Sequence, residues 1–298
     1  MRRGTYSIVA RDRASKELGV AVQSHWFSVG SIVTWAAPGI GAVATQAIAE
    51  PAHGPGALAL IAAGRSPAAA LDELLAADGE ARFRQLGAIA ADGPPAARTG
   101  DGCIPQAGDI QGTDHSAQAN MMASPEVWPA MSAAFEAEEG PLARRLLVAL
   151  EAAEAAGGDA RGRQSAALLV VPGTGQSWER VVDLRVEDDP EPLAELARLL
   201  DVADAYALAD RGDALAGAGR HSEAASCYRE AAERQPQNHE LIFWSGLALA
   251  HGGDVGGGAE RVARAIELQP GWRQILASLT PEIAPGAAAV RERLGVRE

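Results

Sequence analysis

The sequence predicts an α+β domain in which two packed β-sheets lie between layers of helices, followed by an all-helical domain. Strand-like segments crowd the first 46 residues and return later, in the order strands, helices, strands, helices, strands. This order lacks the regular strand–helix alternation that an ordinary α/β sheet requires. An acidic, proline-ended break at 187–190 precedes a purely helical pattern, so we place the two domains at 1–188 and 189–298.

The first strand candidate, at 5–11, is followed by a polar turn at 12–17 and a returning strand at 18–23, which predicts a hairpin. Alternation places Thr5 and Ser7 on one face, with Thr5 at the mouth of the hairpin. A threonine hydroxyl that is activated by its own α-amino group is a known solution for nucleophilic catalysis. A free amine has a pKa near ~8, close to a useful base at neutral pH. The alternative interpretation is that Thr5 merely begins a strand, as threonine often does.

The remaining elements follow from hydrophobic period and from cap or turn residues. Ser66-Pro67 is an N-cap followed by a proline at the first helical position, and Ser124-Pro125 repeats this signal. The continuous apolar run at 165–171 is typical of a strand that is buried on both faces. The predicted strands are 31–36, 39–46, 85–90, 96–99, 115–122, 165–171 and 177–186, and the predicted helices are 54–63, 68–77, 124–138 and 141–156.

The C-terminal third matches itself at an offset of 34 residues. Gly212 aligns with Gly246, and Pro236 aligns with Pro270. This period, with a proline after the second helix, resembles the tetratricopeptide pattern. Two copies are evident, so the segments at 193–204 and 281–294 are predicted to flank or cap them. Such a region can bind a protein or peptide partner, or it can stabilise the first domain or a homodimer, and both interpretations stay open.

Composition excludes several functional classes. The net charge of −13 and the pI near 5.0 argue against nucleic-acid binding. No apolar run reaches the ~20 residues that a bilayer span needs, and no apolar segment follows the N-terminal residues, so we expect a cytoplasmic protein without a membrane partner. Cys103 and Cys227 fall in different predicted domains, which argues against a disulfide. Lys16 is the only lysine among the 26 basic residues.

The N-terminal part resembles a bacterial family of unknown function that is classed with the N-terminal-nucleophile (Ntn) hydrolases. The resemblance covers roughly residues 5 to 186 and rests on six segments. They are TYSIVARD (5–12), ELGVAVQSHWFSVGS (17–31), PGIGAVATQ (38–46), the GDGC segment (100–103), SAQANMMAS (116–124) and GGDARGRQSAALLVV (157–171). The resemblance implies a four-layer αββα sandwich and places Thr5 at the nucleophile position of the wider superfamily.

This sequence departs from that family in two ways. Members typically begin with Met directly before the threonine, whereas Arg2-Arg3-Gly4 intervenes here. A Gly-Thr junction is also one that self-processing, proteasome-like enzymes cleave. Those enzymes use a lysine near the nucleophile, but Lys16 falls in the predicted hairpin turn, so a cationic helper has to be a histidine or an arginine, with Arg163 and Arg11 as candidates. Arginine is a poor proton carrier because its pKa exceeds ~12, so a carboxylate and amides are expected to orient the amine instead.

Polar residues at strand ends supply the other site candidates. We predict that some of them line the site around Thr5, and that one side-chain amide donates to an oxyanion hole there. The alternative interpretation is that these residues only make the ordinary hydrogen bonds of loops and sheet edges. Arg161, Arg163 and Ser165, near Asp159, could reach the site or form a surface ion-pair cluster. The histidines show no metal-ligand spacing, and we predict neither a metal nor another cofactor. The predicted lining residues are Ser7, Gln23, Ser24, His25, Thr45, Gln46, Gln118, Asn120, Arg163 and Ser165.

Two functional hypotheses follow from these observations. The first is an Ntn-type hydrolase that cleaves an amide bond of a small amide or peptide, with Thr5 as nucleophile and base, and with a partner-binding helical tail. The second is a non-catalytic binding or scaffold protein that keeps the fold. A mature chain that begins at Thr5 favours the first hypothesis, and a chain that retains residues 2–4 favours the second.

Overall fold

A computed structural model describes residues 4–297, and these form a mixed α+β architecture with two antiparallel sheets and a C-terminal helical region. The coarse fold prediction is therefore confirmed. The strands are β1 Thr5–Arg11, β2 Leu18–Ser24, β3 Thr34–Ala37, β4 Gly41–Ala47, β5 Arg84–Ala90, β6 Ala96–Thr99, β7 Gly108–Gln111, β8 His115–Asn120, β9 Ser165–Val171 and β10 Val182–Val186. The helices are α1 Gly30–Val33, α2 His53–Ala62, α3 Pro67–Ala76, α4 Val127–Ala137, α5 Leu142–Ala155, α6 Pro192–Gly217, α7 His221–Arg234, α8 His239–His251, α9 Val255–Leu268, α10 Trp272–Ser278 and α11 Ala287–Leu294.

Strand β1 lies inside the larger sheet, whose order is β10-β9-β2-β1-β8-β7. It pairs antiparallel with β2 on one side and with β8 on the other. Every residue of β1 is buried. Thr5 lies opposite Asn120 in this register, so the start of β1 meets the end of β8. This arrangement fixes the position of Thr5 within the sheet from both sides.

The smaller sheet, in the order β3-β4-β5-β6, packs against the larger one. A buried apolar cluster joins the two sheets and includes Val9 and Val20 from the larger sheet with Ala44 and Ile89 from the smaller. Many of these side chains are small, so the two backbones approach closely. One close contact occurs at Gly87, where a Cβ atom would lie 2.2 Å from Oε1 of Gln118 on the facing sheet.

Helices cover the other face of each sheet. Helices α2 and α3 pack on the smaller sheet, where Leu71 and Ile61 join a cluster with Val43. Helices α4 and α5 contact the larger sheet, and a Cβ atom at Gly19 would lie 2.7 Å from Leu146 of α5. The hydroxyl of Ser66 accepts a hydrogen bond from the third residue of α3, which confirms the predicted cap.

Two local predictions are wrong. The predicted strand at 31–36 begins instead with the short helix α1, and the strand starts only at Thr34. Hydrogen bonds to distant residues hold this turn: the Ser165 hydroxyl accepts from the amide of Val29, and the backbone carbonyl of Glu187 accepts from the amide of Ser28. The segment at 100–114, for which no strand or helix is predicted, contains the edge strand β7, which pairs with β8.

The chain packs as two compact units, one that ends at Arg198 and one that begins at Leu199. Both residues lie in the 26-residue helix α6. The sequence places the division at 188–189, where the acidic break lies. The first turns of α6 belong to the first unit, and Leu193 and Leu196 are buried there.

The second unit consists of helices with a core around Phe243, Leu247 and Val262. Gly212 and Gly246, which the 34-residue offset aligns, lie where neighbouring helices touch. A Cβ atom at Gly212 would meet the Tyr228 ring at 2.7 Å, and one at Gly246 would meet the Gly258 carbonyl at 2.7 Å. Small residues at these positions therefore permit the close approach of the paired helices.

Candidate active site

The carbonyl oxygen of Gly4 lies at the centre of a cluster of donors around Thr5. The Thr5 hydroxyl lies 2.6 Å from this oxygen and 3.1 Å from the Ser24 hydroxyl. The Ser24 hydroxyl donates to the same carbonyl, and Nη2 of Arg161 donates to it at 2.8 Å. Thr5 and Ser24 are buried. The Thr5 hydroxyl thus lies directly beside a peptide carbonyl whose oxygen accepts from several donors.

Asp159 organises the other side of this cluster. Its carboxylate accepts from the guanidinium of Arg161 at 2.7 and 3.1 Å, and from the backbone amides of Arg161 and His25 at 2.9 and 3.0 Å. A Cβ atom at Gly4 would lie 2.8 Å from Oδ2 of Asp159. Only glycine therefore fits before Thr5 without displacing this carboxylate.

Between the two sheets, next to Thr5, polar side chains of both sheets form one buried network. Ser7 donates to Oε1 of Gln46 at 2.6 Å and accepts from Nε2 of Gln118 at 2.7 Å. Nε2 of Gln46 reaches the Thr5 carbonyl at 3.2 Å and Oε1 of Gln85 at 2.7 Å. Asn120 also donates to Oε1 of Gln85, at 3.0 Å. These bonds hold the carbonyl of Thr5, and with it the start of β1, in one position.

Gln85 is the member of this network with the most partners outside it, and we predict that its loss destabilises the first unit. Its Nε2 reaches Thr99 at 2.8 Å and two backbone carbonyls at 2.9 and 3.2 Å. Gln85→Leu keeps the volume but leaves these buried groups unpaired, which costs about 3 kcal/mol or more of unfolding free energy. Urea unfolding measures the loss. The exposed Gln111→Leu is the matched control, and equal midpoints for the two variants would contradict the prediction.

The structure places two of the predicted lining residues on other faces of their strands. Thr45 and Gln46 are neighbours in β4, so their side chains lie on opposite faces of the strand. The Thr45 hydroxyl therefore lies away from the network and donates to the Glu50 carbonyl at 3.1 Å. Gln23 alternates with Ser24 and is paired with Tyr6, on the side that faces α5. Strand alternation therefore separates Gln23 and Thr45 from the Thr5 cluster.

Three more of the predicted residues lie beside the site without contacting Thr5. The ring of His25 is exposed, and its Nδ1 lies 3.2 Å from the Arg163 carbonyl. The guanidinium of Arg163 pairs with Glu154 at 3.3 Å. Ser165 is buried and accepts from a backbone amide of the segment that follows β2. Ser7, Ser24, Gln46, Gln118 and Asn120 are the lining candidates that join the Thr5 cluster and its network.

The positively charged side chain beside Thr5 is that of Arg161. The sequence analysis instead favours Arg163 and Arg11 as candidates for a cationic helper. Arg11 ends β1, at the opposite end of the strand from Thr5, and pairs with Asp114 at 2.7 Å. Lys16 is exposed in the turn beyond that same end. The sequence signal that could have identified Arg161 is its place in the polar segment before β9, which it shares with Asp159.

The site is closed in this chain. Thr5 is 1% exposed, and its nitrogen is bonded to Gly4. The cavity that borders Asn120 has a volume of about 20 Å³, room for one water molecule. Cys103 lines that cavity, and burial raises the pKa of its thiol to about 11, so the thiol is not an activated nucleophile. Arg2 and Arg3, which precede Gly4, lie outside the described residues.

Within residues 4–297, no group of three or more His, Cys, Asp or Glu side chains could hold a metal ion.

The helices of this same range include none with the length and apolarity to cross a membrane. The Thr5 cluster itself consists of hydroxyls, backbone amides, a guanidinium and a carboxylate.

Comparisons with known proteins identify relatives of the first unit. Residues 5–196 match the model of a family of unknown function, DUF1028. A crystal structure of protein SPO2555 from Silicibacter pomeroyi, described as a member of the same family, is similar at 31% identity and a TM-score of 0.62. The similarity covers 67% of this chain and 89% of that one. A search of curated proteins finds no significant match.

Proposed function

The chain belongs to the DUF1028 family of unknown function, and we propose that it is an N-terminal-nucleophile amidohydrolase with the Thr5 hydroxyl as its nucleophile. One observation carries the proposal. A peptide carbonyl already lies against the Thr5 hydroxyl, with the Ser24 hydroxyl and Arg161 as donors to its oxygen. Donors that are fixed around a carbonyl oxygen stabilise the negative charge that develops there during acyl transfer.

The fold supports the same assignment. Two facing sheets lie between helix pairs, with α2 and α3 on one side and α4 and α5 on the other. This order agrees with the αββα sandwich of the Ntn hydrolases. The proposed nucleophile is the first residue of the central strand β1, where a free N-terminus would lie on a rigid support.

The first amide within reach of Thr5 is its own bond to Gly4. In the proposed activation step, Oγ of Thr5 attacks the Gly4 carbonyl carbon, the carbon–nitrogen bond breaks, and the hydroxyl proton passes to the Thr5 nitrogen. Water then hydrolyses the resulting ester and releases residues 1–4 with a carboxylate at Gly4. The products are a free Thr5 amine and a regenerated hydroxyl.

After this step the Thr5 amine acts as the base for its own hydroxyl. Its reference pKa of about 8 allows a neutral fraction at physiological pH. Asp159, which is held by Arg161 and by two backbone amides, is the carboxylate that orients the amine. Gln46 and Asn120 fix the Thr5 carbonyl at 3.2 and 3.4 Å. The Asp159 carboxylate, the Arg161 guanidinium and these two side-chain amides together take the place of the lysine that proteasome-like enzymes use near the nucleophile.

A variant that lacks residues 2–4 tests the proposal directly. In this variant Met1 precedes Thr5, so removal of the methionine exposes the amine without self-cleavage. We expect it to hydrolyse members of a library of small amides and short peptides. The same deletion combined with Thr5→Ala is the matched control and is expected to be inactive. A folded variant that begins with Thr5 but cleaves nothing faster than the control would overturn the proposal.

A second candidate function is a non-catalytic binding protein that keeps this fold. The buried Gly4 and the closed surroundings of Thr5 favour it, because the Thr5 nitrogen stays in a peptide bond when Gly4 is retained, and the cavity that borders Asn120 has a volume of only about 20 Å³. The two candidates differ in the state of the N-terminus of the mature chain. Cleavage after Gly4 supports the hydrolase, and retention of Gly4 supports the binding protein.

A further inference from the structure

The helical unit contains a cavity of about 460 Å³. Residues of α6, α7 and α8 and of the turn at 283–286 line it. This volume lies within the range of about 300–1,000 Å³ that is typical of ligand sites. The cavity lies entirely in the second unit, and the proposed chemistry of Thr5 does not use it.

Carboxylates outnumber the basic side chains that line this cavity, which are the rings of His221 and His251. Asp210, Asp213 and Glu240 contribute carboxylates, and the described lining includes neither lysine nor arginine. Tyr228 donates to Asp213 at 2.5 Å, and Tyr206 donates to Glu240 at 3.0 Å. Each of these two carboxylates is therefore held in place by a tyrosine hydroxyl. Each keeps a second oxygen that can accept from a ligand.

The remaining lining matches a ligand that is part apolar and part cationic. Buried side chains such as Ala224, Leu241 and Leu247 give the inner part of the cavity an apolar surface. Asp210 and Asp213 lie at its exposed part. The rings of Tyr206, Tyr228 and Trp244 also line the cavity, and aromatic faces attract cations.

We propose that this cavity binds an arginine or lysine side chain of a basic peptide segment of a partner protein. These side chains carry an aliphatic stem and a charged head, which correspond to the apolar inner surface and to the carboxylates with their aromatic neighbours. A small inorganic cation would make no use of the apolar part. The charge of the lining selects against acidic peptides.

Fluorescence anisotropy with a labelled peptide, Gly-Ser-Arg-Arg-Ser-Gly, tests this proposal. The full-length Thr5→Ala chain is used, so that the result does not depend on cleavage or on the proposed hydrolase. We expect saturable binding that weakens as salt increases, and no binding of the same peptide with both arginines replaced by glutamine. Equal binding of the two peptides would overturn the proposal.

Substitutions of the carboxylates that line the cavity test whether the peptide binds there. Asp213→Asn with Glu240→Gln removes both charges but keeps oxygens that the tyrosine hydroxyls can reach, so the fold is expected to survive. We expect this double variant to weaken peptide binding by about tenfold or more. Glu292→Gln, an exposed acid on α11 outside the cavity, is the matched control and is expected to bind as the parent chain does.

Two results would contradict the assignment. One is undiminished binding by the double variant when its far-ultraviolet circular dichroism and melting temperature match those of the parent. The other is displacement of the peptide by free ethylammonium at concentrations equal to those of the peptide, which would assign the cavity to small cations instead.

Discussion

Thr5→Ala is expected to abolish both the cleavage after Gly4 and the hydrolysis of added amides. The substitution removes the hydroxyl that lies 2.6 Å from the Gly4 carbonyl oxygen, and the described cluster offers no activated thiol in its place. Loss of an attacking nucleophile costs about 10³-fold or more in rate. Intact mass measures cleavage, and a coupled assay on an amide substrate measures hydrolysis.

Thr5→Ser is the matched comparison, because it keeps the hydroxyl and loses only a methyl group. We expect it to retain both reactions at a reduced rate. If Thr5→Ala still loses residues 1–4 at the rate of the parent chain, a separate protease makes that cut and the self-cleavage step is wrong. If it also hydrolyses amides, the nucleophile lies elsewhere.

Arg161→Gln is expected to give the second largest loss. Arg161 donates to the Gly4 carbonyl oxygen at 2.8 Å while Asp159 holds its guanidinium. Removal of one donor from an oxyanion site slows catalysis by about 10²–10³-fold. We therefore expect cleavage after Gly4 to slow by this factor, as followed by the mass of the chain over time after synthesis.

Arg163→Gln is the control, since it removes an arginine two residues away whose guanidinium pairs with Glu154. We expect it to cleave at nearly the parent rate. Equal slowing in the two variants would mean that the overall charge of the segment matters and that the contact to Gly4 does not. Unchanged cleavage in Arg161→Gln would remove this residue from the mechanism.

Much of the fold could be predicted because the hydrophobic period is strong. The alternation at 5–11, the apolar run at 165–171 and the cap at Ser66 each correspond to an element with nearly the predicted bounds. The edge strand β7 could not be predicted because its residues are half-exposed and lie among glycines and aspartates. The helix α1 depends on hydrogen bonds to residues more than a hundred positions away, which a local pattern does not contain.

The candidate site was predictable where strand alternation decides it. Thr5 and Ser7 share a face, as predicted from their spacing, and both contact partners on that face. Gln85 was not predicted as part of the site because it begins the predicted apolar strand at 85–90 and gains its role only from its contacts across the two sheets. The choice between Arg161 and Arg163 depends on how the segment before β9 folds around Asp159, and the sequence carries no period there. A cytoplasmic location and a homodimer stay predictions.

The intact mass of the purified wild-type chain, with N-terminal sequencing, tests the central claim most directly. The account predicts a chain that begins at Thr5 and has lost residues 1–4. A mature chain that retains Gly4 before Thr5 would contradict it, because the amine would stay in a peptide bond and could not act as the base.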